Sequence, residues 1–395
     1  MNILYLTQFF SSTRGGGPLV FYNMARAMAN RGHVATIICN VSTEETVHKN
    51  VITHIVKPYL RESSHLPPSM TQNIRYIINS IIHGMKIIKN NKIDIIHTNS
   101  FTPIIAGSIL GRLTDTPVIA TIHDIFTNNE LQGWSTWAKF NNLPSYYAQL
   151  GKWLEKISLT MRTDIYHAVS NATMHDIVGI KREANIRVVY TGIDMSQYLA
   201  DGETEYSNFI LFIGRLVFYK NLGVLIKAFQ CVLPAVPNAK LVIIGDGPMR
   251  SVWERMASDA GINKSVSFLG NVTTIEKKRL LETCAAVALP SIFEGFGLVI
   301  LEAFAMEKPV LVSNVSPFDE IVDDGLDGFI LSSDDSTDWS EKIKYLLLNK
   351  EICKKMGQKG LPKAEQKFNF EKSTDEMESL YEELLVNHGH EGTLT

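Results

Sequence analysis

The feature that most constrains this chain is an alternation that occurs twice. Short apolar runs of four to six residues, each followed by a stretch with helical spacing, form one series before residue 200 and a second after it. Runs this short and this continuously apolar read as strands buried on both faces, and the helices between them supply the crossovers that parallel strands require. The first series contains Ile3 to Leu6, Val34 to Cys39, Ile93 to His97, Val118 to His123 and Ile165 to Ser170, with helical spacing over Leu19 to Asn30 and Ile104 to Leu113. The second contains Phe209 to Gly214, Lys240 to Gly245, Val266 to Leu269, Ala286 to Pro290 and Pro309 to Val312, with helices over Leu222 to Leu233 and through Glu302. Two similar doubly wound α/β domains are expected, joined by a linker near 192–208. The domains are then 1–200 and 201–369. Phe370 to Leu385 reads as one more helix beyond the second sheet.

Composition narrows the function classes. With 395 residues, 45% apolar and 20% charged, there is material for large cores, which excludes wholesale disorder and small disulfide scaffolds. A formal charge of −3 argues against a dedicated nucleic-acid binder. That total hides a split, because residues 1–200 carry 18 Lys and Arg against 12 Asp and Glu, and the remainder 20 against 29. A basic first half suits an anionic partner such as a phospholipid surface. Cys39, Cys231, Cys284 and Cys353 have no zinc-site spacing and read as reduced core residues of an intracellular protein. Met1 to Leu6 has no basic region, so no secretory leader is expected. No uncharged apolar stretch approaches the roughly 18 residues that span a bilayer. The expected location is cytoplasmic, with any membrane contact peripheral.

The most specific chemistry lies in Ser291 to Ala303, which follows a strand and opens a helix. Glu294 falls in the loop at the strand's carboxyl end, where open α/β sheets bind ligands, and Glu302 follows a seven-residue spacer, about a turn into the helix. Gly295 and Gly297 permit close backbone approach, and the free N–H groups of the helix N-terminus suit a diphosphate. The plainer alternative is a solvated loop Glu and a helix Glu favoured by the dipole. A second element, Phe212 to Asn221, ends the first strand of the second domain and offers Arg215 as a bidentate fork and Lys220 as a point charge for phosphates. Alone it reads as two exposed loop cations; its place in the same domain as the paired Glu favours phosphate.

Together, Glu294 with Glu302, Gly214-Arg215 with Lys220-Asn221, the loop Gly15-Gly16-Gly17-Pro18 and Gly245-Asp246-Gly247-Pro248 resemble the retaining GT-B glycosyltransferases of family 4 over nearly the whole chain. The resemblance implies two Rossmann-like domains facing across a cleft, with the C-terminal helix crossing back to the first. It implies a sugar donor, a UDP- or GDP-sugar, held mainly by the second domain, and a glycan or lipid-linked acceptor held by the first. Arg215 and Lys220 would bind the diphosphate and stabilise the leaving nucleotide without a metal or other cofactor. Glu294 would contact the transferred sugar, the N–H groups of Gly295, Phe296, Gly297 and Leu298 the phosphates, and Glu302 the ribose. Gly16 and Gly17 would let the first loop approach the donor, and Gly245 would shape the nucleotide pocket. His123, in Thr121-Ile122-His123-Asp124, matches the family's active-site pair and would touch the donor sugar, with Asp124 supporting the loop. Ser170, Asn171 and Gly192 to Asp194 match segments flanking the cleft. No general base is evident, which fits retention with the leaving phosphate oxygen accepting the acceptor's proton.

Two basic, aromatic segments bear on the acceptor: Ile74 to Lys92, and Trp134 to Arg162 with Trp137, Tyr146, Tyr147 and Trp153. They suit an anionic membrane surface; ordinary packing on the sheet, or lining of an acceptor-sugar site, are the other readings. A sugar-nucleotide epimerase of the same architecture, or an inactive sugar-nucleotide-binding subunit, is the rival function. A nicotinamide dehydrogenase is disfavoured because no strand is followed by the dinucleotide glycine fingerprint.

Overall fold

The computed structural model describes residues 1–12, 15–42, 48–60, 68–127, 133–140, 143–198 and 206–391. Part of the expected linker, 199–205, lies outside them, as do residues 141 and 142 of the second aromatic segment. The chain divides into two compact units, Met1–Thr191 with Ser373–Thr395, and Gly192–Lys372.

In the first unit the chain runs β1 (Asn2–Leu6), β2 (Phe9–Phe10), α1 (Gly17–Asn30), β3 (Val34–Cys39), β4 (Val41–Ser42), β5 (Val51–Ile55) and α2 (Met70–Asn90). It continues through β6 (Ile95–Thr98), α3 (Thr102–Thr114), β7 (Val118–Ile122), α4 (Trp134–Phe140), α5 (Tyr146–Thr160), β8 (Ile165–Ala168), α6 (Asn171–Ile180) and β9 (Ile186–Val188). Seven strands form a parallel sheet in the order β5-β3-β1-β6-β7-β8-β9. The interior strands are the apolar runs of the sequence. The two edges, β5 and β9, carry no such run because an edge strand is half solvated, and they escape a reading based on continuous burial.

Alternation along β1 sorts the core into two layers. Ile3 and Tyr5 join Phe21, Met24 and Met28 of α1 on one face, and Leu4 and Leu6 join Tyr76, Ile87 and Leu110 on the other, under α2 and α3. The C-terminal helix α14 (Phe370–Glu391) completes the first layer with Met377, Leu380, Tyr381 and Leu384. Its docking is also polar. Arg31 pairs with Asp375 and Glu378 at 2.6 Å, and Tyr381 Oη lies 2.6 Å from His97 Nδ1 and 3.2 Å from Tyr5 Oη. From His97 the buried chain runs on to Thr121 Oγ1 (2.6 Å), His167 Nδ1 (2.8 Å) and, through His167 Nε2, the Val189 carbonyl (2.9 Å), crossing four neighbouring strands.

The second unit contains β10 (Phe209–Ile213), α7 (Leu222–Val232), β11 (Lys240–Ile244), α8 (Arg250–Asp259), β12 (Val266–Gly270), α9 (Thr274–Thr283), β13 (Ala286–Leu289) and α10 (Leu298–Ala305). β14 (Val310–Ser313), α11 (Phe318–Ile321), β15 (Gly328–Leu331), α12 (Ser336–Leu348) and α13 (Lys350–Gln366) follow. Its six-stranded parallel sheet has the order β12-β11-β10-β13-β14-β15. Strand order reverses between β10 and β13, so the loops leaving these strands diverge and open a crevice at their carboxyl ends. The core, with Phe212, Phe229, Leu241, Leu301, Phe304 and Trp339 fully buried, holds the strand ends fixed.

Candidate active site

Both chemical elements of the second unit emerge at that switch point. β10 ends into Gly214 and Arg215, and a single 3-10 turn over Phe218–Lys220 delivers Lys220 beside the loop after β13. The loops are tied directly, Ile292 N–H donating to the Tyr219 carbonyl at 2.8 Å. Lys220 Nζ forms an ion pair with Glu294 Oε2, and Ser291 Oγ donates to the same oxygen at 3.1 Å. Lys220 and Glu294 retain only 14% and 17% side-chain exposure, so each is the other's principal counter-charge. The glycines are local necessities. Gly297 has φ +98° at the N-terminus of α10, and a Cβ there would lie 2.8 Å from the Phe318 ring. Gly245 has φ +123°, and a Cβ would lie 2.0 Å from the Gly214 carbonyl oxygen, so the loop after β11 lies flat against the one bearing Arg215. Phe296 is buried, with its ring at 5.7 Å from Phe368; its side chain anchors the loop and leaves only backbone for a ligand. α10 begins with Leu298 and has no acidic residue in its first turn, leaving its N-terminal N–H groups favourable to an anion.

Glu302 sits inside α10 and is 8% exposed. Its Oε1 accepts from Tyr198 Oη and from Lys277 Nζ, both at 2.8 Å, while Oε2 is buried without a hydrogen-bond partner among the described residues. Tyr198 and Lys277 escaped sequence analysis. One lies at the edge of the linker and the other on a polar helix, and no spacing relates them to Glu302. The carboxylate and its burial push the Tyr198 phenol upward, burial being the larger cause, so Tyr198 stays a donor.

In the first unit the glycine loop meets His123. α1 starts at Gly17, and a Cβ on Gly17 would stand 2.9 Å from His123 Cδ2 and 3.0 Å from Nε2. Gly16, with φ +75°, is the residue preceding the helix and has open space around it. Among the described residues His123 Nε2 is buried without a hydrogen-bond partner, although the residue as a whole is partly exposed. Burial, then the neighbouring His167, lowers its pKa to about 3, so the ring is neutral at physiological pH. The backbone of His123 is held at both ends, its N–H by Ser100 Oγ (3.2 Å) and its carbonyl by Thr173 Oγ1 (3.3 Å). Ser170 caps α6 through Thr173 N–H and so supports that grip, and Asn171 donates to Tyr190 Oη at 2.6 Å. Gly17→Ala is therefore expected to press on the His123 ring and to lower turnover more than it lowers the melting temperature; kinetics and a thermal melt of the purified variant check this.

The segment after His123 is fixed by a residue the sequence did not flag. Buried Glu155 accepts from Phe126 N–H (2.8 Å), Thr127 Oγ1 and Trp134 Nε1 (2.9 Å). Burial raises its pKa against the pull of those donors. Trp134 is thus turned inward, among Phe101, Phe126 and Trp137 and against Gly151, as the packing reading of its segment expects, whereas Tyr146 and Trp153 of the same segment are exposed. Gly192 to Asp194 is a crossing point: a Cβ on Gly192 would be 2.4 Å from the Asn369 backbone, and Ile193 exchanges backbone hydrogen bonds with Phe368 and Phe370.

Comparison with known proteins fits this geometry. Residues 14–197 match the family described as Glycosyltransferase Family 4, and residues 200–361 match Glycosyl transferases group 1. The chain belongs to the GT-B glycosyltransferases of group 1 and family 4. It is 28% identical to an uncharacterised glycosyltransferase of Methanocaldococcus jannaschii, over 87% of this chain and 88% of the relative. It is 26% identical to the UDP-Gal:alpha-D-GlcNAc-diphosphoundecaprenol alpha-1,3-galactosyltransferase of Escherichia coli, over 81% and 84%. Among solved structures, Anabaena HepE in complex with UDP and glucose superposes with a TM-score of 0.76 at 19% identity, covering 97% of this chain and all of that one (100%).

Proposed function

We propose that this glycosyltransferase is retaining and metal-independent, and moves a sugar from a UDP- or GDP-sugar to a hydroxyl of a glycan or lipid-linked acceptor at the cytoplasmic face of a membrane. The product would enter a cell-surface polysaccharide, glycolipid or glycoprotein glycan. The observation that carries the reading is the Lys220–Glu294 pair set beside the glycine-started helix α10 at the switch point of the second unit. Without donor, the two charges neutralise each other. With donor, Lys220 and Arg215 turn to the diphosphate, Glu294 takes sugar hydroxyls, the N–H groups from Gly295 to Leu298 take phosphate oxygens, and Glu302 takes the ribose. His123, neutral and with Nε2 unused, donates or accepts at the transferred sugar. The bond from the anomeric carbon to the phosphate oxygen breaks, the acceptor oxygen bonds that carbon on the same face, and the acceptor proton passes to the departing phosphate. Fixed cations and amides are preorganised for the charge that develops there. The relative acting on a diphosphoundecaprenol-linked sugar and the neighbour solved with UDP support the acceptor and donor classes.

A thermal-shift panel of nucleotide sugars tests the donor class. The matched donor, at about 100 times its dissociation constant, should stabilise by about 2.7 kcal/mol, and uniform indifference to the panel would overturn the reading. Turnover should survive a chelator, and a rate abolished by chelation and restored by a divalent ion would overturn metal independence.

A further inference from the structure

We propose that the outward face of α2 is a docking surface for an anionic phospholipid bilayer. The inner face of this 21-residue helix is accounted for: Tyr76, Ser80, Gly84 and Ile87 are buried, and Gly84 lies so close to α3 that a Cβ would be 2.5 Å from Leu110. Its outer face is apolar as well. Ile74, Ile78, Ile82 and Met85 are 47%, 51%, 47% and 38% exposed. At 100° per residue these four fall within an arc of about 80°, as one continuous stripe about 17 Å long. A helix apolar on both faces belongs in an interior or against lipid, and among the described residues nothing is packed over this one.

Charge identifies the occupant. From Met70 to Lys92 there is no Asp or Glu, and Arg75, Lys86, Lys89 and Lys92 accompany the stripe. Lys89 falls on its line and Arg75 and Lys86 along one flank. Among the described residues none of Arg75, Lys86 and Lys89 has an ion pair, and Lys92 reaches Asp94 only at 3.8 Å while 86% exposed. Half-exposed aliphatic groups with unneutralised cations along one flank and at the C-terminal end complement the acyl boundary and phosphates of an anionic leaflet. A protein partner would want ~800 Å² on each side, and a single stripe offers a few hundred at most. The surface reaches the sheet edge, where Ile52 of β5 is 48% exposed and Asn79 Nδ2 donates to the Lys57 carbonyl at 3.1 Å.

The position is functional within the first unit. Asn73, in the first turn of α2, accepts from Gln8 Nε2 (2.9 Å) just beyond β1 and from Thr102 Oγ1 (3.1 Å) at the start of α3. The stripe therefore begins at the carboxyl edge of the sheet that carries the Gly17 loop and His123. A bilayer held there brings membrane-borne acceptors to that edge. No described helix is long and apolar enough to cross a membrane, so the attachment lies in the interface plane.

The test is flotation of the full chain with vesicles of phosphatidylcholine alone or mixed with phosphatidylglycerol, and needs no turnover. Binding is expected only to the mixed vesicles and to weaken as salt rises. Lys86→Ala and Lys89→Ala should each weaken it about fivefold, and Ile78→Ser and Ile82→Ser each about tenfold, with thermal melts unchanged because all four side chains are exposed. Equal binding to both vesicle types, no binding at low salt, or wild-type binding by the variants overturns the proposal. So does a dimer by size exclusion that the isoleucine variants dissociate without loss of vesicle binding, which would assign the face to a second copy of the chain.

Discussion

Glu294→Gln is expected to lower sugar transfer by roughly 10²–10³-fold while leaving the fold in place. The substitution keeps the volume and the hydrogen bond from Ser291 Oγ, and removes the charge that faces Lys220. Glu294→Ala should abolish transfer but confounds the result, since it leaves a largely buried ammonium without its counter-charge, at a stability cost of roughly 1–3 kcal/mol. Lys220→Ala completes the comparison: it should weaken binding of the free nucleoside diphosphate as well as transfer, because the account places Lys220 on the leaving group. Glu294→Gln should leave that affinity nearly unchanged. Calorimetric titration of the diphosphate against each variant, beside initial rates, separates the roles. Near-normal turnover of Glu294→Gln would remove Glu294 from the sugar site, and unchanged diphosphate affinity in Lys220→Ala would remove Lys220 from the phosphate site.

The second large effect is acid instability of the first unit. His97 and His167 lie in its core and partly exposed His123 at the core's edge, and burial, aided for His97 and His123 by neighbouring histidines, lowers all three below the ordinary 6.5, His123 to about 3 and His167 to about 4. The unfolded chain therefore binds more protons than the folded one between about pH 6.5 and 4. Stability is fully present above 6.5 and is lost as pH falls through that window, at roughly 1.4 kcal/mol per histidine per pH unit. His123 and His167 together approach ~3 kcal/mol per unit, with His97 acting in the same direction, against a total of about 5–15 kcal/mol for a typical domain. Glu155, whose pKa burial raises, works in the opposite sense and offsets part of this. Glu378, lowered by His33 and Arg31, adds a loss only once pH drops below its unfolded value near 4.5. Urea unfolding should show a markedly lower midpoint at about pH 5.5 than at pH 7, and His167→Gln should flatten the slope. A midpoint independent of pH in that range would contradict the protonation states assigned to the core.

Much of this architecture is legible in the sequence because parallel strands buried on both faces write themselves as unbroken apolar runs. β1, β3, β7, β10 and β13 read that way; β5, β9 and β15, half solvated or late in the chain, do not. The site divides similarly. Glu294, Arg215 and His123 follow strand ends and Lys220 lies in the turn after β10, and their agreement with the family's pattern, beyond position, marks them. Lys277, Tyr198 and Glu155 are brought in by tertiary packing from a helix face, a linker turn and a buried helix position, and no local spacing announces them. Trp134 lies on an amphipathic stretch whose sequence leaves packing and surface both open, and its contacts with Gly151 and Glu155 turn it inward. The stripe on α2 is visible as apolar spacing, but only the exposure of Ile74, Ile78 and Ile82 shows that its outward half has no cover among the described residues.

The central claim is that the second unit presents a nucleotide sugar for transfer with retention. The most direct measurement is proton NMR of the reaction of the full chain with the donor selected by the thermal-shift panel and a lipid-linked or glycan acceptor. The account predicts a new glycosidic anomeric signal with the coupling constant of the donor's own configuration, appearing as free nucleoside diphosphate accumulates. An inverted anomeric coupling, or interconversion of the free donor with no transfer, would contradict it.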